Sequence, residues 1–248
     1  MLKTYGIIGF PLQHSFSQKY FTGKFATEGI TDCVYRNFPI PAIGKLPELL
    51  SLETSLTGLN VTIPYKKSVL GYLDRREKLP EGLDACNCIR IQNGELIGYN
   101  TDVIGFERSL LPLLEQQHTQ ALILGNGGAA EAVRFVLHKL GIPYRVVSRK
   151  LQAGTSLTYA DLDESVIRSH TLIINTTPLG TFPEVETYPD IPYSFLSKNH
   201  LLYDLVYNPA KTVFLQKGEA AGAAIKNGYE MLLIQAEESW RIWNENQD

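Results

Sequence analysis

Short apolar runs of strand length alternate with stretches in which apolar residues recur at helical spacing. Residues 3–10 (KTYGIIGF) predict a buried strand, and a polar loop from Pro11 to Ser17 follows. The next pattern predicts a helix to about Glu28, with Tyr20, Phe21 and Phe25 on one face and Gly29 as its stop. Residues 32–39 predict a second strand, and 43–52 a helix bearing Leu46, Leu49 and Leu50. Residues 58–63 predict a third strand, which Pro64 ends because proline cannot donate to a sheet ladder. A short helix over 67–73 comes next. Strand–helix–strand–helix–strand order implies parallel pairing in a small α/β sheet. Residues 85–91 and 96–99 then read as a hairpin around Asn93-Gly94. Asn100-Thr101-Asp102 closes it, ahead of a helix with Phe106, Leu110 and Leu114.

The polar run 116–120 reads as a crossing between domains, and the pattern changes after it. Residues 121–124 (ALIL) form a fully apolar strand that enters Gly125-Asn126-Gly127-Gly128-Ala129-Ala130, followed by a helix over 131–140. Further strands are expected at 144–148, 171–175, 201–207 and 223–226, with a long loop over 179–198 and a helix over 211–221. The last helix, Tyr229 to Asn244, buries Leu232, Ala236, Trp240 and Trp243, with polar Gln235 beside them.

Gly125 to Ala130 match the dinucleotide fingerprint G-x-G-x-x-A between a strand and a helix, the setting that fingerprint requires. Gly125 permits the tight turn, Gly127 lets the backbone approach a pyrophosphate, and Ala130 allows close packing of the helix. The N–H groups at the helix start can hold phosphates. An NAD site ends the next strand on an acid that takes the ribose 2′-hydroxyl. Here Ser148 stands there, followed by Arg149 and Lys150, which favours NADP, since a cation pairs with a 2′-phosphate that an acid would repel.

In open α/β sheets ligands bind beyond the carboxyl ends of the strands. Ser15, Ser17, Asn60, Thr62 and Lys66 all fall at or just after predicted strand ends. Each has a plainer reading beside the functional one. The serines can cap a helix, or bind a polyhydroxylated ligand as donor and acceptor. Lys66 and Lys67 can be surface charges, or one can be a tunable amine at a strand mouth. Asp102, near a helix start, reads plainly as a cap or first-turn acid.

Composition narrows the picture. The chain has 248 residues, 44% hydrophobic and 20% charged, which is ordinary for a globular protein of one or two domains. A net charge of −3 argues against a nucleic-acid partner. No apolar run has bilayer length, and the start of the chain lacks a signal-peptide core. Cys33, Cys86 and Cys88 have neither zinc nor redox spacing, and the five histidines form no His-x-x-x-His, so no metal is expected. Reduced core thiols fit a cytoplasmic location.

Taken together, YGIIGFPLQHSFS, GLNVTIPYKK, ACNC, GYNTD, GNGGAA, NTTPLG, DLVYNP and NGYEMLLIQA resemble the shikimate dehydrogenase (shikimate/quinate dehydrogenase) family, in its order and over nearly the whole chain. The resemblance implies two α/β domains. The first, 1–101 with a returning helix about 230–248, would be the substrate domain with a mostly parallel sheet; the second, 102–229, would be a Rossmann NADP domain. It implies NADP-dependent reversible reduction of 3-dehydroshikimate to shikimate, in the chorismate route to aromatic amino acids. By position, Lys66 and Asp102 become the catalytic pair. Ser15 and Ser17 would hold the substrate carboxylate with Tyr207 nearby, and Thr62, Asn87 and Gln235 the ring hydroxyls. Gly125, Asn126, Gly127, Gly128, Ala129, Ser148, Arg149, Lys150, Leu205 and Gly228 would line the cofactor.

Three departures stand out. Gln18 replaces the family's proline after the second serine, and Cys86 and Cys88 flank Asn87. The basic cluster stops at Lys150, with Leu151, Gln152 and Ala153 where another cation is expected. That last departure keeps open an NAD-using quinate/shikimate dehydrogenase. A nucleotide-sensing protein on the same fold is a third reading, disfavoured because it needs no base. The implied partner is a small-molecule substrate, without nucleic acid or membrane, acting on a monomer or homodimer.

Overall fold

The computed structural model describes residues 2–12 and 15–245. The chain divides into two compact units, Met1–Ile104 with Ile234–Asp248, and Gly105–Leu233.

In the first unit, β1 (Lys3–Gly9) leads to α1 (Phe16–Thr27), β2 (Cys33–Pro39), α2 (Leu46–Leu52) and β3 (Leu56–Val61). The hairpin β4 (Cys88–Gln92) and β5 (Glu95–Tyr99) turns on Asn93, at φ 52°, and Gly94, at φ 84°. The sheet order is β2-β1-β3-β4-β5. Its first three strands pair in parallel, and β4 and β5 are antiparallel. α3 (Thr101–Leu110) follows, capped by Asn100, whose Oδ1 accepts from Val103 N at 3.2 Å.

In the second unit, β6 (Ala121–Leu124), α4 (Gly128–Lys139), β7 (Tyr144–Ser148), β8 (Leu157–Thr158), α5 (Glu164–Ser169), β9 (Leu172–Asn175), β10 (Leu201–Asp204), α6 (Val213–Ala220) and β11 (Ala224–Lys226) build an all-parallel sheet. Its order, β11-β10-β9-β6-β7-β8, is the doubly wound order of dinucleotide-binding sheets. The strand order reverses between β6 and β9, which places the ligand crevice at their carboxyl ends. The last helix is α7 (Tyr229–Asn244).

Each unit has its own core. In the first unit Leu59, Val61, Ile8 and Ile89 bury one sheet face. On the other face Tyr5, Phe21, Phe25 and Tyr35 pack with Trp243 and Ala236 of α7. A Cβ at Gly58 would lie 2.3 Å from the Trp243 ring, so glycine lets the indole lie flat on β3. Trp243 Nε1 donates to the Ile89 carbonyl at 3.0 Å, which satisfies the buried indole N–H. Ile173, Leu202, Leu122 and Phe214 centre the core of the second unit.

Several elements end earlier than the apolar runs do. The expected strand 201–207 stops at Asp204, because its carboxylate takes the Val206 N–H at 3.0 Å away from any ladder. The expected strand 85–91 begins only at Cys88, since the Asn87 side chain binds Thr101. The expected helix 67–73 is a 3₁₀ turn over Ser68–Tyr72. The expected helix 43–52 opens as a 3₁₀ turn before α2. Two short elements, β8 and α5, are absent from the sequence reading; the local signal for α5 is Asp163, whose side chain accepts from Val166 N.

Candidate active site

In the first unit, β3 ends at Val61 and Pro64 follows it, so Lys66 lies a few residues beyond the carboxyl end of that strand. The Lys66 carbonyl accepts from Cys86 N at 2.8 Å, which fixes its backbone against the segment entering β4. Asp102 sits in the first turn of α3. The cap belongs to Asn100, which leaves the Asp102 carboxylate for Lys66. Lys66 Nζ donates to Asp102 Oδ2 at 2.6 Å, with side-chain exposures of 21% and 10%. A charge-assisted contact this short and half-dry is stronger than an exposed surface pair. Lys67 is exposed, so the two lysines separate by environment.

Asn87 lies beside this pair. Its Oδ1 accepts from Thr101 N at 2.6 Å, and its Nδ2 donates to Thr101 Oγ1 at 3.0 Å, one residue before Asp102. Its carbonyl accepts from Val61 N at the end of β3. Thr62 continues from that end, donating its N–H to the Ile8 carbonyl at 3.0 Å.

Ser15 caps α1, accepting from Gln18 N at 3.2 Å. In the same unit the Tyr35 hydroxyl donates to Asn60 Oδ1 at 2.8 Å. Asn60 Nδ2 donates to Ser239 Oγ at 2.9 Å, and Ser239 donates to the Gln235 carbonyl at 2.8 Å. Burial holds the Tyr35 hydroxyl well above its ordinary pKa, so it stays a neutral donor. One polar network therefore runs from Tyr35 to the helix turn that carries Gln235. Tyr35 and Ser239 were not anticipated as parts of it, because no local pattern links positions so far apart. Gln18, in place of the proline, accepts from Asn37 Nδ2 at 2.8 Å.

In the second unit, a cavity of about 710 Å³ opens at the point where the strand order reverses. Gly125, Asn126 and Gly127 form one wall, Ser148, Arg149 and Lys150 another, and Thr176 to Leu179 a third. Gln152 and Tyr159 complete it. Gly125 has φ 106°, and a Cβ there would come within 2.9 Å of Thr176 Oγ1, so two separate constraints require glycine. A Cβ on Gly127 would meet nothing within 4 Å, which leaves its backbone open to a ligand. No side chain caps α4 at Gly127. Arg149 and Lys150 are exposed at the end of β7, and no acid occupies that strand end. These features fit a phosphate-bearing dinucleotide.

Leu205 and Gly228 are not in the cavity wall; they meet each other. A Cβ on Gly228 would lie 2.2 Å from the Leu205 carbonyl oxygen, and Gly228 N donates to Val206 O at 3.1 Å. Tyr207 also lies in the second unit and is 37% exposed. In the sequence Thr176 to Leu179 stand out only within the NTTPLG run, Leu179 also opening the expected long loop; the topological switch point is what makes them wall residues. Behind them, burial pushes the Asp204 carboxyl up to about 6, against hydrogen bonds from Thr212, Val206 and Asn175. Among the described residues no cluster is arranged to hold a metal ion, and no helix is long and apolar enough to cross a membrane.

This geometry defines a two-unit α/β protein, with a doubly wound dinucleotide-type sheet in one unit and a lysine–aspartate pair on a mostly parallel sheet in the other. A family model described as the shikimate dehydrogenase substrate binding domain matches residues 7–89. A shikimate dehydrogenase (NADP(+)) of Methanococcus maripaludis is 36% identical over 97% of this chain and 91% of its own. The crystal structure of a Thermus thermophilus shikimate 5-dehydrogenase in complex with NADP(H) and shikimate superposes with a TM-score of 0.84 at 28% identity, over 99% of this chain and 94% of that one. A Corynebacterium glutamicum quinate dehydrogenase in complex with NAD superposes with a TM-score of 0.85 at 26% identity, over 99% and 94%. The chain belongs to the shikimate dehydrogenase family.

Proposed function

We propose that this enzyme carries out the NADP-dependent, reversible reduction of 3-dehydroshikimate to shikimate, with Lys66 as the acid/base. The observation that carries the reading is the Lys66–Asp102 contact of 2.6 Å at a strand end, in a family whose relatives bear that activity in their names. The first unit is then the substrate domain and the second the dinucleotide domain.

Bound NADP supplies hydride chemistry at its nicotinamide. In the reducing direction the Lys66 ammonium gives a proton to the oxygen that becomes the hydroxyl. In the oxidising direction the amine takes that proton back. Asp102 orients the amine and accepts from the same hydroxyl. Ser15 and Ser17 hold the substrate carboxylate with Tyr207, and Thr62, Asn87 and Gln235 hold ring hydroxyls. Ser239, one turn after Gln235 on the same helix, is tied to Tyr35 through Asn60, which supports this reading. Gly125 to Ala129 take the pyrophosphate and Arg149 and Lys150 the 2′-phosphate, with Ser148 as a further cofactor contact. The enzyme works in the cytoplasm as a monomer or homodimer.

The test is the absorbance of reduced nicotinamide with shikimate as substrate, first with NADP and then with NAD. Reduction of NADP well ahead of NAD supports the reading, and no reduction of either with shikimate overturns it. The second reading, an NAD-using quinate enzyme, rests on a basic cluster that ends at Lys150. Faster turnover of quinate with NAD would select it.

A further inference from the structure

The cavity wall that carries Arg149 and Lys150 is an exposed loop, and its first four following residues, 151–154, are exposed too. A loop of this kind samples many conformations, and clamping it on a phosphate costs affinity unless something holds it first. Two residues outside the loop hold it. Asn126, in the glycine-rich turn, donates from Nδ2 to the Ala153 carbonyl at 3.1 Å. Arg134, in the second turn of α4, donates from one Nη2 to the Gly154 carbonyl at 3.1 Å and to Asn126 Oδ1. Gly154 has φ 78°, and a Cβ there would lie 3.5 Å from Arg134 Nη1, so the loop backbone is seated on the guanidinium. Within the loop, Thr155 Oγ1 bonds both the Gln152 N–H and carbonyl, and Ser148 Oγ donates to the Lys150 carbonyl at 2.5 Å.

The guanidinium is placed at a cost. Among the described residues its buried Nε has no hydrogen-bond partner, and the nearest carboxylate, Glu131 Oε2, stands 3.9 Å from Nη1. A buried unpartnered N–H is unfavourable, so Arg134 is poorly explained as a stabiliser of α4 alone. Its two good hydrogen bonds both go to the segments that flank the dinucleotide cavity. This compensates for the residues the loop lacks: Leu151, Gln152 and Ala153 offer no cation, so Arg149 and Lys150 must be well placed to suffice.

We infer that Arg134 is a positioning residue for 2′-phosphate recognition: by latching the 149–155 loop to the glycine-rich turn, it sets the preference for NADP over NAD. The inference rests on the NADP reading of the second unit. Pyrophosphate contacts at the start of α4 do not need the loop, so the latch acts on the 2′-phosphate selectively.

The experiment is equilibrium binding of 2′,5′-ADP and of ADP to the full-length wild type, Arg134→Met and Arg134→Lys, with kcat at saturating NADP alongside. For Arg134→Met we expect about tenfold weaker 2′,5′-ADP binding, less than about twofold change for ADP, and an unchanged kcat. Arg134→Lys reaches one of the two acceptors and restores part of the loss. Equal weakening of both nucleotides, or no weakening of either, overturns the inference, the first by making Arg134 a general support of the turn. Unaltered ADP binding also reports that the variants are folded. A wild type that binds 2′,5′-ADP no better than ADP overturns the NADP reading itself, and the latch with it.

Discussion

The lysine–aspartate site of the first unit and the dinucleotide cavity of the second are built in opposite ways. In the first, the candidate groups are buried or half-buried and already bonded in pairs: Lys66 to Asp102, Asn87 to Thr101, Tyr35 to Asn60. Their partners come from distant parts of the sequence. In the second, the walls are contiguous runs, and the charged groups Arg149 and Lys150 are exposed on a loop. A reacting centre gains from fixed geometry, since proton transfer needs its groups within hydrogen-bond reach. A nucleotide phosphate gains from reachable cations and backbone N–H groups, which a glycine-rich turn presents locally. Geometry is stored in tertiary packing on one side and in the local chain on the other.

That contrast can be broken at four points. If Lys66 and Asp102 act as one unit, Lys66→Ala with Asp102→Asn loses no more turnover than Lys66→Ala alone, a loss of about 10³-fold. Losses that multiply would make them independent groups. On the exposed side, Arg149→Ala should raise the KM for NADP about tenfold and leave kcat and the KM for NAD nearly unchanged. An equal rise for both cofactors would remove Arg149 from the 2′-phosphate. In the packing that supports the first site, Gly58→Ala drives a methyl into the Trp243 ring and should cost about 2 kcal/mol in denaturant unfolding. A cost near zero would mean that the indole can yield.

The smallest effect concerns Asp204. Its carboxyl titrates near 6 in the folded chain against 3.8 as the ordinary value. Between those values the folded state holds a proton the unfolded state has released. The stability from this group is therefore complete below about pH 4 and lost as pH rises through about 6. Asp204→Asn should flatten that part of the stability profile, measured by denaturant unfolding from about pH 4 to about pH 7. An identical slope in the variant would place the proton elsewhere.

The same contrast explains what was legible in the sequence. The second unit announced itself, because its strand, Gly125-x-Gly127 turn and helix are contiguous and their periods are plain. The walls from Thr176 to Leu179, and the latch from Arg134, needed the strand order. In the first unit, types of residue at strand ends were readable, but the pairing of Lys66 with Asp102 came only from the family resemblance, since they are 36 positions apart. Tyr35 and Ser239 gave no signal at all, since each reads locally as an ordinary strand or helix residue. Element ends were misjudged where a side chain captures a backbone N–H, as Asp204 does at Val206 and Asn87 at Thr101. Asp102 was ambiguous because the neighbouring Asn100 performs the capping that Asp102 could have done.

The central claim is that Lys66 moves the proton while other side chains hold the substrate. It is tested most directly by measuring turnover and shikimate dissociation together in Lys66→Ala. The account predicts turnover down by about 10³-fold with shikimate affinity within a few-fold of wild type. Turnover close to wild type, or a loss that saturating shikimate restores, would contradict it.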